Sequence, residues 1–131
     1  MKPMQGLHLV ADLGGVAASL PEMTDPEALR RLCLSAVAQS GLGAVAELFH
    51  RFTPAADAGQ SGITGVVLLA ESHLAIHTWP ELASVTLDVY ACNLGRDNSA
   101  RAEALLQQLV QAFAPQEQQC QRLQRGRPSV L

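Results

Sequence analysis

The strongest constraint on this fold is a two-residue alternation of apolar and polar side chains in two separate segments. Residues 85–92 show this alternation most clearly, and residues 6–13 show it again. Apolar members of the clearer segment are Val85, Leu87, Val89 and Ala91. Because successive side chains of a strand point to opposite faces, the alternation predicts strands with one buried face.

Apolar residues at helical spacing predict two helices. The first follows Thr24, which has capping-box spacing to Glu27, and ends at Gly41. Asn98 is the predicted cap of the second helix. The predicted core face of that helix consists of Ala102, Leu105, Leu106, Leu109, Val110 and Phe113.

Further strands are predicted at residues 44–52, 65–70, 73–77 and 118–124, with a loop over 54–62. The order β-α-β-β-β-β-α-β favours an α+β two-layer sandwich, a mostly antiparallel sheet with two helices on one face. The chain of 131 residues has room for a single domain, residues 1–131. Its many apolar strand residues indicate that a second subunit covers part of the other face.

Composition excludes several classes of protein. A net charge of -3 with scattered Lys and Arg gives no basic surface for nucleic acid. Three cysteines without a CxxC pair argue against a disulfide framework and against a zinc cluster. With neither a signal segment nor an apolar run of membrane length, we expect a cytoplasmic protein.

The densest chemistry lies in residues 70–81, AESHLAIHTWPE. A metal site built from His73 and His77 is disfavoured, since in a strand their Cα atoms would lie ~13 Å apart. A hydrolase with Ser72 as nucleophile has the needed residue types but lacks the G-x-S-x-G pattern. The third interpretation is a buried strand pair with hydrogen-bonded histidines, and the residues alone do not exclude it.

The same segment resembles the prokaryotic S-adenosylmethionine decarboxylase proenzymes, which depend on a pyruvoyl group. The resemblance rests on ESHLAIHTWPE, the preceding GITG and the following LDVYAC. It extends to the opening GLHLVAD, the strand FHRF at residues 49–52 and Arg125-Gly126 near the end. Matches in the same order along most of the chain make it far more specific than a lone short motif.

The resemblance implies that the chain cleaves itself between Glu71 and Ser72. The Ser72 hydroxyl attacks the preceding carbonyl, and β-elimination from the resulting ester leaves dehydroalanine, which becomes a pyruvoyl group. The products are a β chain of residues 1–71 and an α chain of residues 72–131. Thr64 and His77 match the family's processing residues, although the family commonly has serine where this chain has Thr64.

The resemblance also implies a catalytic role for several residues. The pyruvoyl group at position 72 forms a Schiff base with the substrate amine and accepts electrons as carbon dioxide leaves, so no metal is needed. Cys92 matches the proton donor, Glu81 the carboxylate that holds the ribose hydroxyls, and Phe52 an aromatic side chain stacked on adenine. From the residues alone, Cys92 and Phe52 fit ordinary core packing equally well.

Among the remaining residues, Cys33 and Cys120 are expected to be buried small hydrophobes, and His73 has no assigned role. The expected reaction decarboxylates S-adenosylmethionine to the aminopropyl donor for spermidine synthesis. The alternatives are the same chemistry on arginine or ornithine, and a non-catalytic regulatory homologue. The family works as a homodimer of processed αβ protomers. Residues 53–63 form a longer linker than the family's, between Phe52 and Thr64.

Overall fold

The structure, a computed structural model, describes residues 5–53 and 61–126. Six strands and two long helices occur in the predicted order, with short 3-10 turns at Pro21–Met23 and Pro80–Leu82. The long elements are β1 (Gln5–Gly14), α1 (Pro26–Ser40), β2 (Ala44–Arg51), β3 (Ile63–Leu69), β4 (Ser72–Trp79), β5 (Ser84–Cys92), α2 (Ser99–Phe113) and β6 (Glu117–Gly126).

The six strands form one sheet in the order β2-β3-β4-β5-β1-β6, and every neighbouring pair is antiparallel. Strands β2 to β5 pair in sequence order. The connections from β3 to β4 and from β4 to β5 are too short for a parallel crossover, so these pairs must be antiparallel. Strand β1 lies between β5 and β6. The predicted α+β sandwich with a mostly antiparallel sheet is confirmed.

The hydrophobic core lies between one face of the sheet and the two helices. Alternate residues of β1, β4 and β5 are buried there, among them Leu9, Ile76 and Val89. From the helices, Leu29 and Leu109 are fully buried against them. Each such side chain contributes roughly 1.5–3 kcal/mol on leaving water, which ties the helices to this face.

The opposite face, which we call the open face, carries no helix in the described part of the chain. It displays apolar side chains with large exposed fractions, namely Leu48 at 69%, Leu68 at 47% and Leu123 at 45%. Between them lie half-buried polar residues such as His73 and His77. A row of exposed leucines across a sheet is typical of a surface that meets another protein.

The start of α1 differs from the prediction. Asp25, not Thr24, is the cap, and its carboxylate accepts a hydrogen bond from the Glu27 amide at 3.0 Å. Because Asp25 precedes Pro26, it is held in the extended conformation that a cap requires. The predicted end at Gly41 is confirmed, with a φ of +88°.

Strand β6 is longer than predicted, and the prediction that Cys120 is buried is wrong. All ten residues of β6 are exposed, so no alternation marks the strand in the sequence. Its backbone pairing with β1 defines it instead. Residues 54–60 of the predicted loop lie outside the described residues. In the part of the chain that is described, neither helix is long and apolar enough to cross a bilayer.

Candidate functional site

The bond between Glu71 and Ser72 lies in a two-residue turn that joins β3 to β4. Leu69 and Ser72 face each other as the last cross-strand pair, which leaves Ala70 and Glu71 to reverse the chain. Glu71 has a φ of +61°, in the left-handed region. That conformation costs a residue with a side chain roughly 1–2 kcal/mol. The carbonyl side of the candidate cleavage bond is therefore strained.

The Ser72 hydroxyl is buried and held by the backbone of the neighbouring strand. Ser72 is 9% exposed and shares the buried positions of β4 with Leu74 and Ile76. Its Oγ accepts a hydrogen bond from the Cys92 amide at 3.0 Å. Cys92 ends β5 and is itself 8% exposed. We call Glu71, Ser72 and Cys92 the turn-end site.

Thr64 and His77 are directly opposite each other on β3 and β4. Their side chains are half-buried on the open face, with Thr64 Oγ1 3.2 Å from His77 Nδ1. The His77 ring also lies against the ring of Trp79, with 5.7 Å between centroids. A hydroxyl bonded to an imidazole is a pair that can accept and donate a proton, as general acid-base chemistry requires.

Phe52 and Glu81 lie at the same end of the β3–β4 hairpin as Thr64 and His77. Phe52 is 50% exposed, its amide donates to Gly62 O at 3.0 Å, and His50 meets its ring edge-on at 5.2 Å between centroids. This exposure argues against the alternative that Phe52 is ordinary core. Glu81 is exposed in the 3-10 turn after β4. We call Phe52, Thr64, His77 and Glu81 the open-end site.

The two sites are well separated within one chain. His77 lies five residues along β4 from Ser72, a distance of ~17 Å in a strand. The alternation of burial also places Ser72 and His77 on opposite faces of that strand. One protomer therefore does not bring all the predicted catalytic residues around one reacting group.

Sequence reasoning gave no role to a polar row that crosses the open face beside Ser72. Its members are His8, His73, Tyr90 and Arg125. His73 and His8 both face Tyr90, at 5.6 and 6.1 Å between ring centroids, and the Arg125 guanidinium lies over the Tyr90 ring at 5.6 Å. Arg125 Nη1 also lies 3.2 Å from His8 Nδ1. The available signal was that His8 and Tyr90 occupy polar positions of alternating strands.

Sequence reasoning also missed Asn98 as a contact of the turn-end site. The prediction that Asn98 is the cap residue of α2 is confirmed for its position, but its side chain makes no capping hydrogen bond. Asn98 Nδ2 instead donates to Cys92 O at 3.0 Å. No spacing rule in the sequence signals this contact, because it depends on how the loop after β5 turns back.

The other cysteines are far from this chemistry. Cys33 is fully buried in α1, and burial raises the pKa of its thiol to about 12. Cys120 is exposed on β6. Within residues 5–53 and 61–126, no three side chains of the metal-ligating types come close enough to hold one ion.

Comparison with known proteins identifies relatives over the full described fold. The family model described as S-adenosylmethionine decarboxylase matches residues 7–126. The S-adenosylmethionine decarboxylase proenzyme of Picrophilus torridus is 35% identical over 96% of this chain and 88% of its own length. The proenzyme of Archaeoglobus fulgidus is 32% identical over 92% of this chain and 97% of its own length.

A solved structure agrees with the sequence relatives. The crystal structure of the adenosylmethionine decarboxylase from Aquifex aeolicus superposes with a TM-score of 0.82 at 33% identity. The superposition covers 98% of this chain and 96% of that chain. The likeness therefore includes both helices and the whole sheet that carries the turn-end and open-end sites.

Proposed function

This chain belongs to the S-adenosylmethionine decarboxylase family, and we propose that it decarboxylates S-adenosylmethionine after cutting itself at the Glu71–Ser72 bond. The reaction releases carbon dioxide and leaves the aminopropyl group on the sulfonium. The observation that carries the proposal is a family match over residues 7–126. The strained turn and the buried hydroxyl within that match support the self-cleavage.

The chemistry of the turn-end site supports self-cleavage. The Ser72 hydroxyl attacks the Glu71 carbonyl carbon, the C–N bond breaks, and the serine nitrogen takes a proton, which leaves an ester. Loss of the Ser72 Cα proton then breaks the Cβ–Oγ bond, and the oxygen leaves as part of the Glu71 carboxylate. The Cys92 amide donates to this oxygen, so it stabilises the negative charge as it develops. The dehydroalanine that remains becomes an imine, and water hydrolyses it to the pyruvoyl ketone with release of the serine nitrogen as ammonia. Release of the strained left-handed conformation at Glu71 also favours cleavage.

The environment of residue 72 fits a pyruvoyl group made from Ser72. The position is buried and bordered by the Cys92 amide, and no charged side chain is hydrogen-bonded to Ser72 in the described residues. Such a group supplies a carbonyl that binds the substrate amine and accepts electrons as carbon dioxide leaves. Burial at position 72 keeps bulk water away from that chemistry.

Cys92 is the proposed proton donor. Its amide contacts Ser72 Oγ, so Cys92 adjoins the reacting position on the adjacent strand. The proton goes to the substrate carbon that has lost carbon dioxide. Cys33 and Cys120 do not compete for this role, because one is in the helical core and the other is on the exposed β6.

The proposal includes a homodimer of processed protomers. Thr64 and His77 are ~17 Å along the hairpin from the bond they are proposed to help cleave, so they serve the site of a partner copy. In a two-fold dimer, one contact between an open-end site and a turn-end site is repeated by symmetry, which completes both sites. The exposed Leu48 and Leu68 on the open face supply an apolar surface for that contact.

Glu81 and Phe52 are the proposed substrate-binding residues. An exposed carboxylate can accept two hydrogen bonds from the adjacent hydroxyls of a ribose. A half-exposed phenyl ring can stack on adenine, and it attracts the sulfonium cation through its face. Both lie at the open end with His77, so both enter the partner's site in the proposed dimer.

The test is release of labelled carbon dioxide from substrates incubated separately with the purified chain. Carboxyl-labelled S-adenosylmethionine is expected to release label, and carboxyl-labelled arginine and ornithine are expected to release none. Intact mass is measured on the same sample, with two fragments expected in place of one 13.9 kDa chain. If the chain splits but labelled carbon dioxide comes only from arginine or ornithine, the proposed substrate is wrong. If the chain never splits, the proposed mechanism is wrong.

A further inference from the structure

Asn98 lies at a helix start, but its side chain serves β5 instead. An asparagine at this position usually accepts a hydrogen bond from an amide of the first helical turn. Here the Ser99 amide donates to Asp97 Oδ1 at 2.9 Å. Asn98 Nδ2 donates instead to Cys92 O at 3.0 Å. The Asp97 carboxylate thus serves the first amide of α2, and the Asn98 carboxamide is bonded to Cys92.

The loop over residues 93–98 is held by further bonds to its neighbours. Asn93 Oδ1 accepts from the Asn98 amide at 2.8 Å, and Asn93 Nδ2 donates to Ser99 Oγ at 3.1 Å. The Asn93 amide donates to Gln5 O at 2.8 Å, at the start of β1. The loop is therefore tied to α2 on one side and to the sheet on the other.

Two neighbours fix the orientation of the Asn98 carboxamide. Cys92 O faces its nitrogen, and Arg101 Nη1 lies 3.4 Å from its oxygen. The flipped amide would place two acceptor oxygens together at Cys92 and two donors together at Arg101. The amide nitrogen of Asn98 is thus the atom that faces Cys92.

We propose that Asn98 is a positioning residue for the Cys92 thiol, an inference that rests on the proposed role of Cys92 as proton donor. In the precursor the Cys92 amide is held by Ser72 Oγ, and the Cys92 carbonyl is held by Asn98. Because the Ser72 oxygen leaves in the proposed self-cleavage, the bond from Asn98 remains to hold the Cys92 peptide group, and with it the direction of the Cα–Cβ bond, during turnover.

That direction matters because the proton has two possible destinations. In the productive step the S–H bond breaks and a C–H bond forms at the substrate α-carbon, after which the thiolate takes a proton from water. Protonation of the carbon at residue 72 instead leaves the substrate nitrogen on the chain. Water then releases the substrate as an aldehyde, and the α chain begins with alanine and is inactive.

The experiment compares Asn98→Ala and Asn98→Asp with Asp97→Ala. Asn98→Asp keeps the size of the side chain and its fitness for a helix start, but it removes the donor to Cys92. Asp97→Ala removes the acceptor for the Ser99 amide at the start of α2 and leaves that donor in place. For both Asn98 variants we expect kcat to fall about 10-fold with little change in KM, and alanine-ended α chain per turnover to rise several-fold. Asp97→Ala is expected to stay close to wild type in both.

A second measurement does not depend on turnover. In an unprocessed Ser72→Ala background, alkylation of each cysteine is followed by peptide mass spectrometry. Asn98→Ala is expected to speed alkylation of Cys92 several-fold relative to the exposed Cys120, while Cys33 stays unreactive in its buried position. Asp97→Ala is expected to leave the ratio of Cys92 to Cys120 unchanged.

The outcomes separate the inference from the proposed function. The inference alone is overturned if Asn98→Ala has a normal kcat, a normal fraction of alanine-ended α chain and a normal rate of Cys92 alkylation, while Cys92→Ala is inactive. Equal effects of Asp97→Ala and Asn98→Ala also overturn it, because they point to general loosening of the loop. A fully active Cys92→Ala overturns the donor role and the inference with it.

Discussion

The Cys92 backbone amide donates a hydrogen bond to the Ser72 hydroxyl at 3.0 Å, across two neighbouring strands. Cys92 thus offers two different groups to the reacting position. Its amide faces the oxygen that leaves in the proposed self-cleavage, and its thiol is the proposed proton donor in turnover. Because only the thiol belongs to the side chain, substitution can separate the two stages.

Cys92→Ala is expected to cleave at close to the wild-type rate and then to lose turnover by at least about 100-fold. The amide and its bond to Ser72 Oγ survive the substitution, whereas the thiol does not. Intact mass measures cleavage, and labelled carbon dioxide measures turnover. Ser72→Ala is the matched variant, expected to remain a single chain. An active Cys92→Ala would contradict the donor assignment.

Glu71→Gly is expected to slow self-cleavage. Glycine adopts a φ of +61° without the cost that glutamate bears, so the precursor loses strain of roughly 1 kcal/mol. If the strain is released on the way to the ester, cleavage slows about 5-fold. The time course of fragment formation after rapid refolding measures the effect.

Glu71→Ala is the control for that prediction. Alanine keeps the strained left-handed conformation and removes only the carboxylate of the side chain. It should therefore cleave faster than Glu71→Gly. Equal rates in the two variants would show that backbone strain at residue 71 does not drive the reaction.

Much of the fold was predictable because alternation and helical spacing report burial directly. Val85 and Leu87 mark β5 as plainly in the sequence as in the structure. The ends of strand β6 were harder to predict, since all its side chains are exposed and its pairing with β1 depends on the backbone. The Asp25 cap was missed because Thr24, one residue earlier, satisfied the same local rule.

The candidate site was predictable as a set of residues but not as an arrangement. Ser72 and Cys92 are 20 apart in sequence and hydrogen-bonded in the structure. His77 is only five residues from Ser72, yet lies at the other end of the hairpin. The short separation in sequence between Ser72 and His77 does not make them neighbours, because an extended strand advances ~3.3 Å with every residue. The contact of Asn98 with Cys92 required the folded loop.

The pH dependence of stability is expected to have a contribution from Asp97. The hydrogen bond from the Ser99 amide, followed by one from the Ser99 side chain, lowers the pKa of Asp97 in the folded protein. A group whose pKa is lower when folded adds stability above its unfolded pKa, about 3.9, and loses it as pH falls through the folded value. Asp97→Asn should therefore flatten the fall in urea midpoint below pH 4. Parallel curves for both proteins would contradict this.

A pair of inactive variants tests whether each site is shared between two copies. Ser72→Ala keeps the open-end site but forms no pyruvoyl group, and His77→Ala keeps Ser72 but lacks the imidazole. Co-expressed with two different affinity tags and purified through both, they form a mixed dimer. If His77 acts across the dimer, the Ser72 of one chain meets the His77 of the other in one of the two sites.

In that case the His77→Ala chain of the mixed dimer is cleaved and the dimer releases labelled carbon dioxide, although each variant alone does neither. The matched control is the double variant co-expressed with wild type. Its mixed dimer should be inactive, because the only intact Ser72 then faces a partner without His77. The opposite pattern, with cleavage in the control and none in the mixed pair, would place His77 in the site of its own chain. The ~17 Å along β4 between His77 and Ser72 argues for the shared site.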